Sequence, residues 1–172
     1  MKKLLLLCLF FLMSLGQTLI GEDVVGIWKQ IDDETGKPQS LVAIYEYQNK
    51  YYGRIIATYD SEGQKIQDTI YKPIKKAPGV IGHPFFSGLD FIWDLEKNGN
   101  RYLGGKILDP QAGKKYDAEM WLEDGHLMIR GEVLFIGKTQ KWNPAEEKDF
   151  PPDFKEPDLS KMVPVIPQIE NK

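Results

Sequence analysis

Residues 116–123 alternate between apolar and charged side chains, which is the pattern of a β-strand with one buried face. The apolar residues share one side, and Trp121 is the uncharged exception on the other side. Asp124-Gly125 follows directly and is typical of a two-residue hairpin turn, because both residues tolerate positive φ. Residues 104–142 are therefore predicted to form a meander of antiparallel strands with short connections.

Similar apolar or alternating runs recur between clusters of turn-forming residues, and none has a helical period. Eight or nine short strands are predicted, which favours a closed antiparallel barrel or a two-sheet sandwich because both hide strand edges. Glycines inside the strands favour the barrel, since strongly bent strands use glycine at bulges and corners. The other predicted strands are 24–31, 40–48, 51–58, 65–71, 85–95 and 101–108, and the glycines are Gly53, Gly104, Gly105, Gly131 and Gly137.

Residues 1–16 have the features of a secretory signal peptide. Met1-Lys2-Lys3 is basic, residues 4–15 form an apolar run too short to span a bilayer, and Ser14 and Gly16 suit a cleavage site. An uncleaved membrane anchor is the alternative. The sequence therefore predicts an exported protein, periplasmic or secreted, that keeps no membrane span after cleavage.

Cysteine content and charge limit the chemistry of the mature chain. Cys8 is the single cysteine and lies inside the apolar run, in poor context for lipid attachment. A mature chain without cysteine excludes disulfides, thiol nucleophiles and thiolate metal sites. Loss of the two charges of Lys2 and Lys3 changes the formal net charge from −3 to −5, and no basic stripe is present. These features argue against nucleic acid as a partner.

The mature chain is predicted to comprise one domain and a tail. A hydrophobic content of 42% suffices for a single core, which we assign to residues 17–143. Prolines recur among charged residues in 144–172, so this segment is expected to be extended or disordered. Phe150, Phe154 and Met162-Val163 are its candidates for contact with the barrel. Alternatively, the tail binds a protein partner as an extended segment.

Short motifs rich in glycine and aromatic residues follow one another along residues 24–142. They are Gly26-x-Trp28, Asp33-Glu34-Thr35-Gly36-Lys37-Pro38, Tyr52-Gly53-Arg54-Ile55, Gly105-Lys106-Ile107-x-Asp109-Pro110-x-x-Gly113-Lys114-x-Tyr116, Arg130-Gly131 and Gly137-x-Thr139-Gln140-x-Trp142. The ordered set resembles the exported bacterial family catalogued as domain of unknown function 2147. The resemblance implies a small lipocalin-like, up-and-down barrel in the cell envelope, with no established activity.

Two features depart from the pattern of that family. Many relatives carry a cysteine pair in the region of residues 59–84, and Lys138 stands where relatives usually have arginine.

The resemblance also implies that Trp28 closes one end of the barrel beneath a basic residue of the last strand, either Lys138 or Arg130. Such a cation–π contact stabilises by about 0.5–2 kcal/mol. Arg130 has two further interpretations, a surface ion pair of little energetic weight or an anchor for a carboxylate head group.

Candidates for catalysis or metal binding are few. His83 and His126 are the only histidines, and both are expected at loops or strand ends with no nucleophile at catalytic spacing. The acidic run Asp32-Asp33-Glu34 lacks the spacing of a calcium loop and indicates a solvated turn. Asp109 is interpreted as a turn former. We therefore predict no catalytic residue, no metal site and no cofactor.

Small-molecule binding is the function that the predicted barrel favours. The interior of an eight-stranded barrel is either filled by side chains or holds one small ligand, here an apolar or amphipathic, lipid-like molecule. A ligand-free envelope protein acting through its tail and an envelope enzyme are the other hypotheses. From the alternation, the inward residues are Leu41, Ala43, Tyr45, Tyr47, Leu103, Ile107, Tyr116, Ala118, Met120 and Leu122, and the candidate ligand contacts are Tyr45, Tyr47, Tyr116, Met120 and Arg130.

Overall fold

Nine β-strands form the framework of the part of the chain that the structure describes. A computed structural model describes residues 23–133 and 136–170, so the predicted signal peptide (1–16) lies outside the described residues. Within these ranges no helix has the length and apolar character needed to cross a bilayer. The strands are β1 (Gly26–Ile31), β2 (Pro38–Tyr47), β3 (Lys50–Tyr59), β4 (Ile66–Thr69), β5 (Asp90–Asn98), β6 (Arg101–Asp109), β7 (Lys114–Glu123), β8 (His126–Val133) and β9 (Ile136–Pro144).

Eight of the strands close into an antiparallel barrel. Each strand pairs with its neighbour in the ring β1-β2-β3-β5-β6-β7-β8-β9, and β4 is an additional strand on the edge of β3. The ring closes where β1 meets β9, with Trp28 opposite Pro144 and Lys29 opposite Asn143. The predicted all-β barrel is therefore confirmed, and the two-sheet sandwich is excluded.

Turns and bulges follow the local sequence. Asp124 and Gly125 have φ of 50° and 75°, the left-handed conformation that the hairpin between β7 and β8 requires. The strand register shifts at Gly53 and between Tyr102 and Gly105. Gly53 and Gly105 are two of the glycines at which bulges or bends were predicted. A Cβ on Gly105 would lie 2.5 Å from the carbonyl oxygen of Trp93, so only glycine allows β5 and β6 to approach this closely.

The strand predicted for residues 85–95 begins later than expected. β5 starts at Asp90, because Gly88 has a φ of 103° that does not continue a strand. Before it, the chain folds back on itself through bonds such as that from the Ala77 amide to the Pro84 carbonyl (2.8 Å). Residues 70–89 therefore form a loop fixed by backbone hydrogen bonds rather than an extension of the sheet.

One end of the barrel is filled by large side chains. Trp28, Met120, Leu127 and Trp142 are all buried there, and the Trp28 indole donates a hydrogen bond to the Val24 carbonyl at 2.8 Å. The ring of Phe91 lies over Trp142, with centroids 6.2 Å apart. These residues form the floor of the barrel, so any internal space lies toward the opposite end.

The tail lies along the outside of the barrel. It contains two short 3-10 turns, Glu147–Asp149 and Leu159–Lys161, between extended segments. Phe150 and Phe154 stack at 5.5 Å and pack against the core, and Met162 is buried. A backbone hydrogen bond from the Ile81 amide to the Gln168 carbonyl (2.9 Å) adds to these contacts. The tail thus covers part of the barrel surface.

A buried carboxylate holds the tail to the strands. Asp90 is 1% exposed and accepts hydrogen bonds from both Nε and Nη2 of Arg54 (2.9 and 2.6 Å) and from the Tyr45 hydroxyl (2.8 Å). It also accepts from the Val165 amide (2.7 Å), while Arg54 donates to the Val163 carbonyl (2.8 Å). We call Tyr45, Arg54 and Asp90 the Asp90 cluster. Burial raises the pKa of Tyr45 well above its usual range, so its hydroxyl remains a donor.

Replacement of Asp90 by alanine is expected to lower the free energy of unfolding by about 3–5 kcal/mol, because it leaves the largely buried Arg54 guanidinium unpaired. Denaturant unfolding followed by circular dichroism measures the loss. The control is Asp117→Ala, which removes the exposed pair with Lys106 and is expected to cost less than about 1 kcal/mol. Equal losses in the two variants would contradict a structural role for the Asp90 cluster.

Candidate functional site

The barrel interior and the loops at its open end together line a cavity of about 1310 Å³, which opens to solvent at the end opposite the floor. The connections β1–β2 and β6–β7 border its mouth, together with residues that flank the β8–β9 connection. The inner wall is apolar on one part and polar but uncharged on another. The apolar wall comprises Ile55, Phe91, Ile107 and Ile129, and the uncharged polar residues include Gln30, Ser40, Thr58, Tyr116 and Gln140.

Hydrogen bonds link the polar residues at the inner end of the cavity. The Trp142 indole donates to Oε1 of Gln140 at 3.0 Å, and Nε2 of Gln30 lies 3.4 Å from the same oxygen. The Ser40 hydroxyl donates to Oε1 of Gln30 at 2.6 Å. An indole nitrogen can only donate, so the atom of Gln140 that faces Trp142 must be the amide oxygen. The same series of hydrogen bonds then places the Gln30 amide nitrogen toward Gln140 and the Gln30 amide oxygen toward Ser40.

Thr58 is an uncharged polar residue of the wall that lies outside this set of hydrogen bonds. It lies opposite Ser40 in the pairing of β2 with β3 and is 7% exposed. Its hydroxyl oxygen is buried and has no hydrogen-bond partner among the residues that the structure describes. A buried hydroxyl without a partner is costly, and such groups occur where a ligand or water completes the bonding.

Charged residues surround the mouth of the cavity. Asp32 accepts hydrogen bonds from the Thr35 amide (2.7 Å) and hydroxyl (2.8 Å), and these bonds lower the pKa of Asp32. Lys138 pairs with Asp33 at 3.3 Å. Asp109 accepts from backbone amides in its own turn, as expected of a turn former. The mouth is therefore charged, whereas the inner wall is neutral.

A sequence model for a bacterial family matches residues 26–143, which is the barrel itself. The family is described as "Uncharacterized protein conserved in bacteria (DUF2147)". The chain belongs to this family. No curated protein sequence matches the chain.

A solved structure shares the fold of this family member. It is protein HP1028 from the human pathogen Helicobacter pylori, described as belonging to the lipocalin family. The TM-score is 0.58 at 23% sequence identity, and the similarity covers 73% of this chain and 85% of HP1028. At this identity the likeness establishes a lipocalin-like barrel and says nothing about whether the barrel binds a molecule.

The structure brings some of the predicted ligand contacts to the cavity of the DUF2147 barrel and separates others from it. Tyr116 lines the cavity, whereas Met120 is fully buried in the floor. Tyr45 and Tyr47 lie on the outer face of β2, where Tyr45 joins the Asp90 cluster. Alternation misassigned this face because the tail buries β2 from outside, so both of its faces are apolar.

Arg130 lies outside the cavity. Its guanidinium pairs with the Glu132 carboxylate and lies 3.4 Å from the Thr139 hydroxyl, while the neighbouring Gly131 faces the interior. The pair of Arg130 with Glu132 corresponds to the surface ion pair that was one interpretation of Arg130 from the sequence. An anchoring role for a ligand carboxylate within the barrel has no support in this geometry.

Trp28 and Lys138 lie at different levels of the barrel. Lys138 is opposite Gly131 near the mouth, whereas Trp28 is opposite Pro144 at the floor. Among the described residues, the cation–π contacts involve other rings and not Trp28. Trp28 therefore fills the closed end without a cation above it, and the expected stacking under Lys138 or Arg130 is not found.

Neither histidine lines the cavity. His83 lies in the 70–89 loop with a φ of 46°, and His126 starts β8 beside the Asp124-Gly125 turn. In residues 23–133 and 136–170, no group of three or more His, Cys, Asp or Glu side chains is arranged to hold a metal ion. The concentration of polar groups is instead at the inner end of the cavity.

The sequence did contain a signal for these cavity residues. Gln140 shares a strand face with Trp142, and Gln30 shares one with Trp28. A glutamine two residues from a buried tryptophan in a strand marks a polar side chain that faces the interior. Gln30, Ser40, Thr58 and Gln140 were missed because their buried surroundings come from strands distant in sequence.

Replacement of Thr35 by valine is expected to raise the pKa of Asp32 toward its ordinary value, because it removes the hydroxyl that donates to the carboxylate. In the native protein a lowered pKa means that Asp32 stabilises the turn above its ordinary pKa, and that this stabilisation is lost as the pH falls through the lowered value. A carbon-13 NMR titration of the carboxyl group measures both values. Thr69→Val, at the end of β4, is the control, and an unchanged Asp32 titration in Thr35→Val would contradict the assignment.

Proposed function

We propose that this protein is an exported binding protein that holds one small amphipathic molecule inside its barrel. The observation that supports the proposal is the open cavity of about 1310 Å³ above a solid aromatic floor. Concave, largely apolar sites with a few placed polar groups are the common form of small-molecule sites. A barrel serving only as a rigid scaffold would have its interior filled by side chains.

The composition of the wall supports an amphipathic guest. Ile55, Phe91, Ile107 and Ile129 offer apolar surface, which favours a chain or ring by about 25 cal/mol per Å² buried. A purely apolar guest would leave the polar groups of the wall without hydrogen-bond partners, and each unsatisfied group would reduce the free energy of binding. A molecule with one apolar part and one hydrogen-bonding part satisfies both.

Export is supported by the N-terminal sequence. The basic start, the short apolar run and the small residues at Ser14 and Gly16 form a signal peptide pattern. Outside the cytoplasm, a barrel of this kind would carry or store a poorly soluble molecule.

We also infer that the protein acts by binding rather than by catalysis. His83 and His126 are the side chains whose unperturbed pKa suits a neutral-pH base, and neither reaches the cavity.

We assign the tail to contacts with the barrel rather than to binding of a protein partner. Its backbone already bonds to Arg54, Tyr71, Ile81 and Asp90, so a partner would have to displace these contacts.

Replacement of Ile107 by tryptophan is expected to reduce binding of a guest about tenfold or more, because the indole fills the cavity next to Tyr116. Fluorescence titration with the uncharged dye Nile red measures the affinity. Ile74→Trp is the matched control, since Ile74 is 71% exposed and outside the cavity. Native-like binding by Ile107→Trp, with its fold confirmed by circular dichroism, would refute a guest inside the barrel.

Export has its own test. The full-length chain, expressed in a bacterial host, is expected outside the cytoplasm with residues 1–16 removed, and a chain starting at Gln17 is expected to stay inside. Cell fractionation measures the location of the protein, and intact-mass measurement shows whether residues 1–16 have been removed. Cytoplasmic full-length protein with an uncleaved N-terminus would contradict export and leave the cavity proposal to its own experiment.

A further inference from the structure

The inner end of the cavity is the part that discriminates between guests. We propose that the guest enters with an uncharged, oxygen-bearing group first, such as an amide, ester or alcohol, and that this oxygen accepts hydrogen bonds from the side-chain amides of Gln140 and Gln30. The inference rests on the proposed function and specifies the chemical class and orientation of the guest.

The orientation of the Gln140 amide makes it a donor toward the cavity. Its Oε1 already accepts from the Trp142 indole and lies within reach of Gln30. Within the residues that the structure describes, Nε2 of Gln140 donates no hydrogen bond, and it is not among the buried polar atoms that lack a partner. An accessible amide N–H₂ beside a cavity is suited to an acceptor oxygen of a guest.

The depth of these amides determines which end of the guest meets them. Gln140 precedes Trp142 on the inward face of β9, and Gln30 lies beyond Trp28 on β1 in the direction of the mouth. Both tryptophans belong to the buried floor. A group that contacts Gln30 and Gln140 has therefore passed the mouth and reached the end of the available space.

The inner end of the cavity has no charged side chain among its described lining residues, and this disfavours an ionised head group there. The charged residues that border the cavity lie in or beside the loops of the mouth, among them Asp32, Lys75, Asp109 and Lys138. An ionised carboxylate at the inner end would lose its hydration without gaining a cation, which is far more costly than burying a neutral oxygen. Thr58 strengthens the preference, since its buried hydroxyl is another uncharged group on the same wall.

Lauramide, lauryl alcohol and laurate provide a matched series, because they share one apolar chain and differ in the head group. Isothermal titration calorimetry of the full mature chain at neutral pH is expected to give affinities for lauramide and lauryl alcohol about tenfold or more above that for laurate. The series uses the native protein, so the test does not depend on whether a variant folds.

Two variants locate the head group. Gln140→Met keeps the side-chain length but removes the donors, and Trp142→Phe keeps an aromatic ring but releases the Gln140 amide, so Trp142 acts as a positioning residue. Each is expected to reduce the ratio of lauramide to laurate affinity toward one. The controls are Gln64→Met, at an exposed site outside the cavity, and Trp121→Phe, whose ring lies under Arg101 outside the barrel. Both controls are expected to keep the native ratio.

Different experimental outcomes would contradict the head-group inference and the proposed function. Laurate binding as tightly as lauramide would overturn the inference, as would a ratio that is insensitive to Gln140→Met but altered by Lys138→Met at the mouth. Either result would leave a guest in the barrel. Failure of all three guests and of Nile red to bind would instead overturn the proposed function, and the inference with it.

Discussion

Pairing of β1 with β9 is the constraint on which the rest of the structure depends. An open sheet of eight strands would expose two edges and would have an inner face with no opposite wall. Once Trp28 lies beside Pro144, every strand of the ring has two neighbours and the sheet encloses an interior. The aromatic floor, the polar inner wall and the charged mouth are consequences of that closure, since each combines residues from strands far apart in sequence.

The outer surface of the barrel shows a second level of organisation. β2 is buried on both faces, because the tail covers the side that does not face the interior. The Asp90 cluster supplies the directional part of this contact, since its carboxylate and guanidinium bond to the tail backbone at Val163 and Val165. The prolines of the tail prevent it from forming a helix or a regular strand, and the barrel supplies the hydrogen bonds that an extended segment lacks.

Local rules predicted much of the fold. The Asp124-Gly125 turn, the strand glycines and the alternation in β7 carry their information within a few residues, so the strands and bulges they indicated are present. The inward face of β2 was misassigned because its second burial partner is the tail, more than a hundred residues away. Alternation identifies a buried face only when the other face meets water.

The candidate site was less accessible to prediction for the same reason. Tyr116 was identified because its strand has a clear polar side, whereas Gln30 and Gln140 come from the first and last strands of the ring and meet only after closure. The family resemblance implied that Trp28 closes one end beneath a basic residue, and the position of Trp28 relative to Lys138 depends on strand register. Register over this distance is not encoded in any short motif.

The brevity of the contact between β1 and β9 has a mechanical consequence. Backbone pairing covers only Trp28 and Lys29, with a bond from the Ala145 amide to the Ile27 carbonyl below it, and the two glutamine side chains span the gap above. The other ring contacts are longer ladders. Separation of the first and last strands above Lys29 would therefore break no backbone ladder. Any widening of the barrel would therefore be concentrated at the junction of β1 and β9, beside the Gln30 and Gln140 amides.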